Sequence, residues 1–154
     1  MRRLRPHLYI GPSIYPTDLP RVRRKGITAV LSLQQVDIDL PRAAMERMRA
    51  ACEPRAIAFH NIGIHDYDPQ AVIAALPRTL RMLHGLIGDG RIVYVHCTEG
   101  INRAPSIALA YLVCHEALAV DHALADLRHC DPGVKPYAAV IEWLRGQAER
   151  LTTD

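Results

Sequence analysis

Along the chain, apolar positions fall into short unbroken runs that alternate with longer stretches in which they recur every three or four residues. Ile27 to Leu33 is β-branched and apolar on both alternating faces, the pattern of a strand covered on both sides of a sheet. The run Arg91-Ile92-Val93-Tyr94-Val95-His96 reads the same way. Leu8-Tyr9-Ile10-Gly11 reads as a short strand closed by Gly-Pro, and Ala56 to Ile64 as a further strand. In contrast, Val72, Ile73, Leu76, Leu80, Leu83 and Leu86 recur at helical spacing. They predict an amphipathic helix from Pro69 to about Ile87, with Pro77 as a kink and Gly88-Asp89-Gly90 as its stop.

Capping and turn signals predict the other helices. One runs from Thr17 or Asp18 to the basic run Arg23-Arg24-Lys25-Gly26, and one from Pro41 to about Ala51. Ala104 to His115, Asp121 to His129 and Pro136 to Leu151 follow, the last two divided by Asp131-Pro132-Gly133. Strands alternating with helices predict an α/β sandwich, a central mixed and mostly parallel sheet flanked by helices, folded as a single domain over residues 1–154.

Composition narrows the function classes. With 154 residues and 49% hydrophobic content, one sizeable core is expected. A net charge of +3 falls short of the concentrated basic stripe that nucleic-acid binding needs. Arg21, Arg23, Arg24 and Lys25 therefore read as a solvated helix end. Met1-Arg2-Arg3-Leu4-Arg5-Pro6 carries charge with no apolar run behind it, so neither a signal peptide nor a membrane span is read. A cytoplasmic location without a membrane partner is the expectation, and so is a monomer. Cys52, Cys97, Cys114 and Cys130 show no C-x-x-C spacing, and a chain with its own core has little need of disulfides. Cys114 and Cys130 sit in expected helices at positions read as buried, with no resolving cysteine near Cys97, which ranks sulfur transfer or arsenate reduction last.

The chemistry concentrates between the strand ending at His96 and the helix starting near Ala104. In Cys97-Thr98-Glu99-Gly100-Ile101-Asn102-Arg103, successive backbone N–H groups can face an anion at the helix N-terminus, and Gly100 lets the backbone approach it. Cys97 is the expected nucleophile, because the helix end and the Arg103 guanidinium both favour a thiolate. Arg103 is the expected phosphate clamp, offering a planar fork to two phosphate oxygens. Thr98, Glu99, Gly100, Ile101 and Asn102 complete the phosphate-binding set. His96 is expected behind them, bonding to backbone and orienting the nucleophile.

His96-Cys97-Thr98-Glu99-Gly100-Ile101-Asn102-Arg103 resembles the signature H-C-x-x-G-x-x-R of the dual-specificity branch of the protein tyrosine phosphatase superfamily. Leu8-Tyr9-Ile10-Gly11 with Gly26 to Leu31 looks like that family's opening strands, and Ala123 to Leu144 like its closing helices. Leu33-Gln34-Gln35, Asp66-Tyr67-Asp68 and Arg103-Ala104-Pro105 are similar to the phosphoglucan phosphatases. The resemblance implies a cofactor-free, metal-free phosphomonoesterase working through phosphocysteine on a phosphorylated protein or a phosphoglucan. The alternative is a non-catalytic module that captures phosphorylated partners.

Expelling the alcohol from phosphate needs a carboxylic acid near the leaving oxygen. Asp68 precedes Pro69 as an N-cap would, so its side chain has a structural role available. Asp66, 31 positions before Cys97 and placed much as the family places its acid, is the expected proton donor, with Asp68 as runner-up. Many members of the family carry Ser or Thr directly after the Arg to stabilise the departing thiolate. Ala104 lacks that hydroxyl, and Ser106 lies on another helix face, so slow phosphoenzyme hydrolysis is expected. Glu99 reads either as an acid on the loop rim, where the resemblance argues against highly phosphorylated inositides, or as a solvated loop residue pointing away. His60, His65 and Asp66 do not complete a metal-ligand pattern, and Tyr67 reads either as an aromatic wall or as loop packing.

Overall fold

The chain is described from a computed structural model covering residues 1–153, apart from the side chains of 148 and 150–153. In chain order it forms strands β1 (Arg2–Arg5) and β2 (Leu8–Gly11), helix α1 (Leu19–Arg24), β3 (Ala29–Ser32), α2 (Arg42–Cys52), β4 (Ala58–Asn61), α3 (Pro69–Gly88), β5 (Val93–His96), α4 (Arg103–His115), α5 (Val120–Cys130) and α6 (Ala138–Thr153). The strands make one sheet in the order β1-β2-β5-β3-β4. The expected mixed, mostly parallel sheet is present: β2, β5, β3 and β4 run parallel, and β1 pairs antiparallel along the β2 edge.

Strand β1 was not among the expected elements. Three of its four residues are arginines, and an edge strand has to bury only one side. Leu4 turns into the core, while Arg5 reaches Glu116 and Asp126 at 2.8 Å each, tying the edge to the helical layer. The central strands match their apolar runs more narrowly than the pattern suggested. Pairing in β3 stops at Ala29 and Ser32, with Ile27 and Leu33 buried at either end.

Alternation along β5 divides the interior. Val93 and Val95 pack on the side carrying α3 and α4, with Leu76, Leu83, Ile107 and Leu144. Tyr94 packs on the other side, with Val22, Val30, Met45, Met48 and Phe59. Each fully buried aliphatic side chain contributes about 1.5–3 kcal/mol, so β5, buried on both faces, holds the segment that follows it on a rigid base.

Local signals explain the helix starts. Asp68 caps α3 by accepting the Ala71 N–H at 3.0 Å, with Pro69 in the first turn. The helix continues through Pro77. Pro41 stands just before α2, not inside it, and a 3-10 turn over Pro16–Asp18 precedes α1. The expected burial of Cys114 and Cys130 is corrected. Cys114 is exposed near the far end of α4, and Cys130 is half-buried at the end of α5 against the Arg3 carbonyl, so both sit at helix ends beyond the packed centre.

Candidate active site

Because β5 lies between β2 and β3, the loops leaving the same ends of these parallel strands meet around Cys97–Arg103. The loop is fastened from outside by its carbonyls. The Ser13 N–H donates to Thr98 O at 2.9 Å, the Lys135 N–H to Ile101 O at 2.7 Å, and Leu33 N–H to His96 O at 2.9 Å. In a planar trans peptide the N–H points opposite to the C=O. Fixing the Thr98 and Ile101 carbonyls outward therefore turns the N–H groups of Glu99 and Asn102 toward the hollow of the loop. Asn102 Nδ2 adds a bond to Lys135 O at 2.8 Å.

Gly100 is required twice over. Its φ of +75° is in the left-handed region, and a Cβ there would lie 2.5 Å from Gly11 C and 2.6 Å from Pro12 N. Those backbone atoms cannot retreat, since Gly11 is paired with His96 in the sheet.

Cys97 is buried, 3% exposed, at the mouth of this cradle. His96 behind it stacks on Tyr94 and places Nδ1 at 2.9 Å from Cys97 O. A carbonyl only accepts, so Nδ1 carries the hydrogen. Burial pushes the imidazole down to about 4, with Arg103 adding to the effect against the opposing backbone bond, so the ring is neutral and orients the Cys97 peptide.

Arg103 is 1% exposed and held more firmly than a lone clamp would be. Its Nη1 donates to Asp39 Oδ2 at 2.7 Å and to Ile64 O at 2.9 Å. Its Nη2 donates to Asp39 Oδ1 at 3.3 Å and to Thr98 Oγ1 at 3.2 Å. Asp39 thus grips the guanidinium end-on, and Thr98 takes the other Nη2 hydrogen beside Nε. Nε is buried without a hydrogen-bond acceptor among the described residues. Asp66 Oδ1 lies 3.3 Å from it, within ion-pair reach but out of hydrogen-bond alignment. Burial would raise the Asp39 carboxyl, but bonds from Arg103 and the Gln35 N–H outweigh it and hold it below the ordinary carboxylate range. Gln34 Nε2 donates to Thr98 Oγ1 at 3.1 Å and completes the support.

The two candidate acids separate cleanly. Asp68 is occupied in capping α3, as its position before Pro69 suggested. Asp66 stands beside Arg103, its Oδ1 accepting the Tyr67 N–H at 3.0 Å and the Tyr137 hydroxyl at 3.3 Å. Tyr67 itself is 78% exposed, which makes it part of the rim and not of the core.

Among the described residues the large exposed apolar side chains are Tyr15, Ile38 and Tyr67, one on each of three loops around the cradle. Beside Tyr15, a cavity of about 370 Å³ opens next to Thr98, walled by Ile14, Leu40, Met45, Met48 and Phe59. Glu99 is exposed. The Ser106 hydroxyl donates to Asn102 O at 2.7 Å and accepts the Tyr137 N–H at 3.0 Å, so it is committed to holding backbone. His60 sits on β4, and His65 Nδ1 lies 3.0 Å from Gln35 Oε1.

Sequence reasoning missed Asp39, Gln34 and Tyr137. Only Gln34 had a signal, through the Leu33-Gln34-Gln35 likeness. Asp39 shares its loop with an equally plausible Asp37, and Tyr137 meets the acid across 71 residues of chain.

A cysteine and a buried guanidinium on one strand–loop–helix, with a carboxylate 3.3 Å from the guanidinium, form the arrangement of a phosphate-ester hydrolase. The dual specificity phosphatase catalytic domain matches residues 8–150, and the chain belongs to that family. It is 28% identical over 160 residues to the amyloplastic phosphoglucan phosphatase DSP4 of Castanea sativa, covering 97% of this chain and 43% of that protein. It is 27% identical to dual specificity protein phosphatase 12 of Mus musculus, covering 94% and 39%. The chain thus spans less than half the length of these relatives. Among solved structures, the human tyrosine phosphatase-like serine/threonine/tyrosine-interacting protein superposes with a TM-score of 0.76 at 22% identity, covering 100% of this chain and 98% of the other. Human DUSP28 does so with 0.75 at 20%, covering 99% of each.

Proposed function

We propose that this phosphatase hydrolyses phosphate monoesters through a phosphocysteine intermediate on Cys97. The phosphoryl group sits in the loop, its oxygens taken by the inward N–H groups and by Arg103 Nε. The Cys97 thiolate attacks phosphorus, the P–O bond to the alcohol breaks, and Asp66 gives its proton to the leaving oxygen. Asp66, now a carboxylate, takes a proton from the water that attacks the phosphocysteine, releasing phosphate and the thiolate. The observation that carries this reading is the buried Arg103 Nε, which has no hydrogen-bond acceptor among the described residues, with Asp66 3.3 Å away.

The substrate is a single phosphoryl group on an otherwise neutral carrier, a phosphorylated protein or a phosphoglucan. The apolar rim of Tyr15, Ile38 and Tyr67 and the acidic Glu99 support it, since neither favours a polyanion. Hydrolysis of p-nitrophenyl phosphate, inhibited by vanadate and unaffected by EDTA, is the expected activity, lost in Cys97→Ser. Turnover retained by Cys97→Ser overturns the mechanism, and tight phosphate binding without wild-type turnover favours a capture module. A panel of phosphotyrosine peptide, phosphoserine peptide and solubilised amylopectin then ranks the carriers.

A further inference from the structure

Tyr137 directly precedes α6 and belongs to a segment that touches both halves of the site. Two residues before it, Lys135 exchanges bonds with Ile101 O and the Asn102 side chain, and the Tyr137 N–H is held by Ser106 Oγ. The ring therefore rises from a backbone already fastened to the Cys97 loop. At its tip, the hydroxyl accepts the Tyr67 N–H at 2.9 Å and donates its single hydrogen to Asp66 Oδ1 at 3.3 Å. Burial, with the neighbouring Asp66 charge adding to it, pushes the phenol up against the opposing bond from the Tyr67 N–H, so it stays a neutral donor through the physiological range.

Among the described residues, the two hydrogen bonds to the Asp66 carboxyl, from the Tyr67 N–H and the Tyr137 hydroxyl, both fall on Oδ1, as does the ion-pair contact with Arg103 Nε. A carboxylic acid carries its hydrogen on the oxygen that is not already accepting donors. We infer that Tyr137 is the positioning residue for the acid, locking Oδ1 so that Oδ2 presents the proton to the leaving oxygen. Tyr137 never touches substrate; it acts through Asp66. The inference rests on the reading of Asp66 as proton donor and adds what holds it in place.

The test compares Tyr137→Phe, Asp66→Asn and the double variant on phenyl phosphate, whose leaving group needs a proton, and on 2,4-dinitrophenyl phosphate, whose leaving group does not. A hydrogen bond to a charged group is worth roughly 1.5–3 kcal/mol. Tyr137→Phe is accordingly expected to lower kcat/KM for phenyl phosphate by about tenfold while leaving the dinitrophenyl ester within about twofold, and to cost nothing further in the Asp66→Asn background. The dinitrophenyl rate reports in the same assay that the loop is intact. Equal losses on both esters, or a full additional loss on top of Asp66→Asn, overturn the role of Tyr137. If Asp66→Asn itself shows no dependence on the leaving group, the reading of Asp66 falls first. If Asp66→Asn shows that dependence and Tyr137→Phe does not, only the inference falls.

Discussion

The loop proposed to receive the phosphoryl group and the loop proposed to supply the proton are held in unlike ways. Cys97–Arg103 is fixed by main-chain bonds from two other segments, at Ser13 and Lys135, and by a glycine packed against backbone. The acid loop hangs from side chains: Asp68 on the end of α3, Tyr137 on Asp66, and an exposed Tyr67 between them. Stabilising developing charge needs donors that do not move, whereas an acid has to meet leaving groups of different shape. Rigidity is concentrated where the chemistry is invariant.

The contrast can be broken at several points. Gly100→Ala is expected to do most, because the added methyl meets backbone at 2.5 Å in a conformation already unfavourable to alanine. A destabilisation above about 3 kcal/mol and loss of activity should appear in urea melts and turnover, and an active, stable Gly100→Ala would show the cradle to be pliable. Asp66→Asn should lower kcat for phenyl phosphate about 100- to 1000-fold with stability unchanged, which circular dichroism and steady-state kinetics check together. Asp39→Asn strips the buried Arg103 of its charge partner. It should destabilise by roughly 3 kcal/mol, with inorganic phosphate restoring part of the loss in thermal melts.

The fourth test is pH. His96 is ordinarily protonated near 6.5, and in the fold its imidazole is held at about 4. The unfolded chain therefore takes up a proton that the folded chain refuses, and stability present above pH 6.5 is lost as pH falls toward 4. That difference amounts to about 3 kcal/mol, and His96→Gln should flatten urea midpoints across this window. The smallest effect is expected at Ala104, which on the proposed mechanism leaves the departing thiolate without a hydroxyl. Ala104→Ser should speed steady-state turnover by about fivefold and shrink the initial burst, whereas a linear wild-type time course unchanged by the substitution would remove the hydroxyl from the account.

The strand, loop and helix around Cys97 were legible in the sequence because their signals are continuous: an apolar run, a spaced Cys-Gly-Arg and an apolar helix within some two dozen residues. The capping role of Asp68 was also readable, since the Asp-Pro step marks it locally. Strand β1 was not, because arginines hide an edge that buries only Leu4. The partners of Arg103 and Asp66 were not either. Asp39 and Tyr137 reach them across 64 and 71 residues, and nothing local marks one loop aspartate or one tyrosine above its neighbours.

Ile38 and Asp39 are adjacent yet face opposite ways, the first 61% exposed on the rim and the second gripping the guanidinium. One short stretch therefore carries a replaceable outer surface and a fixed inner anchor. On the proposed reading, a change at position 38 leaves the Asp39–Arg103 pair untouched. A phosphate mimic bound in the proposed cradle and extended outward would meet Ile38 on the rim while Asp39 stays sealed behind Arg103.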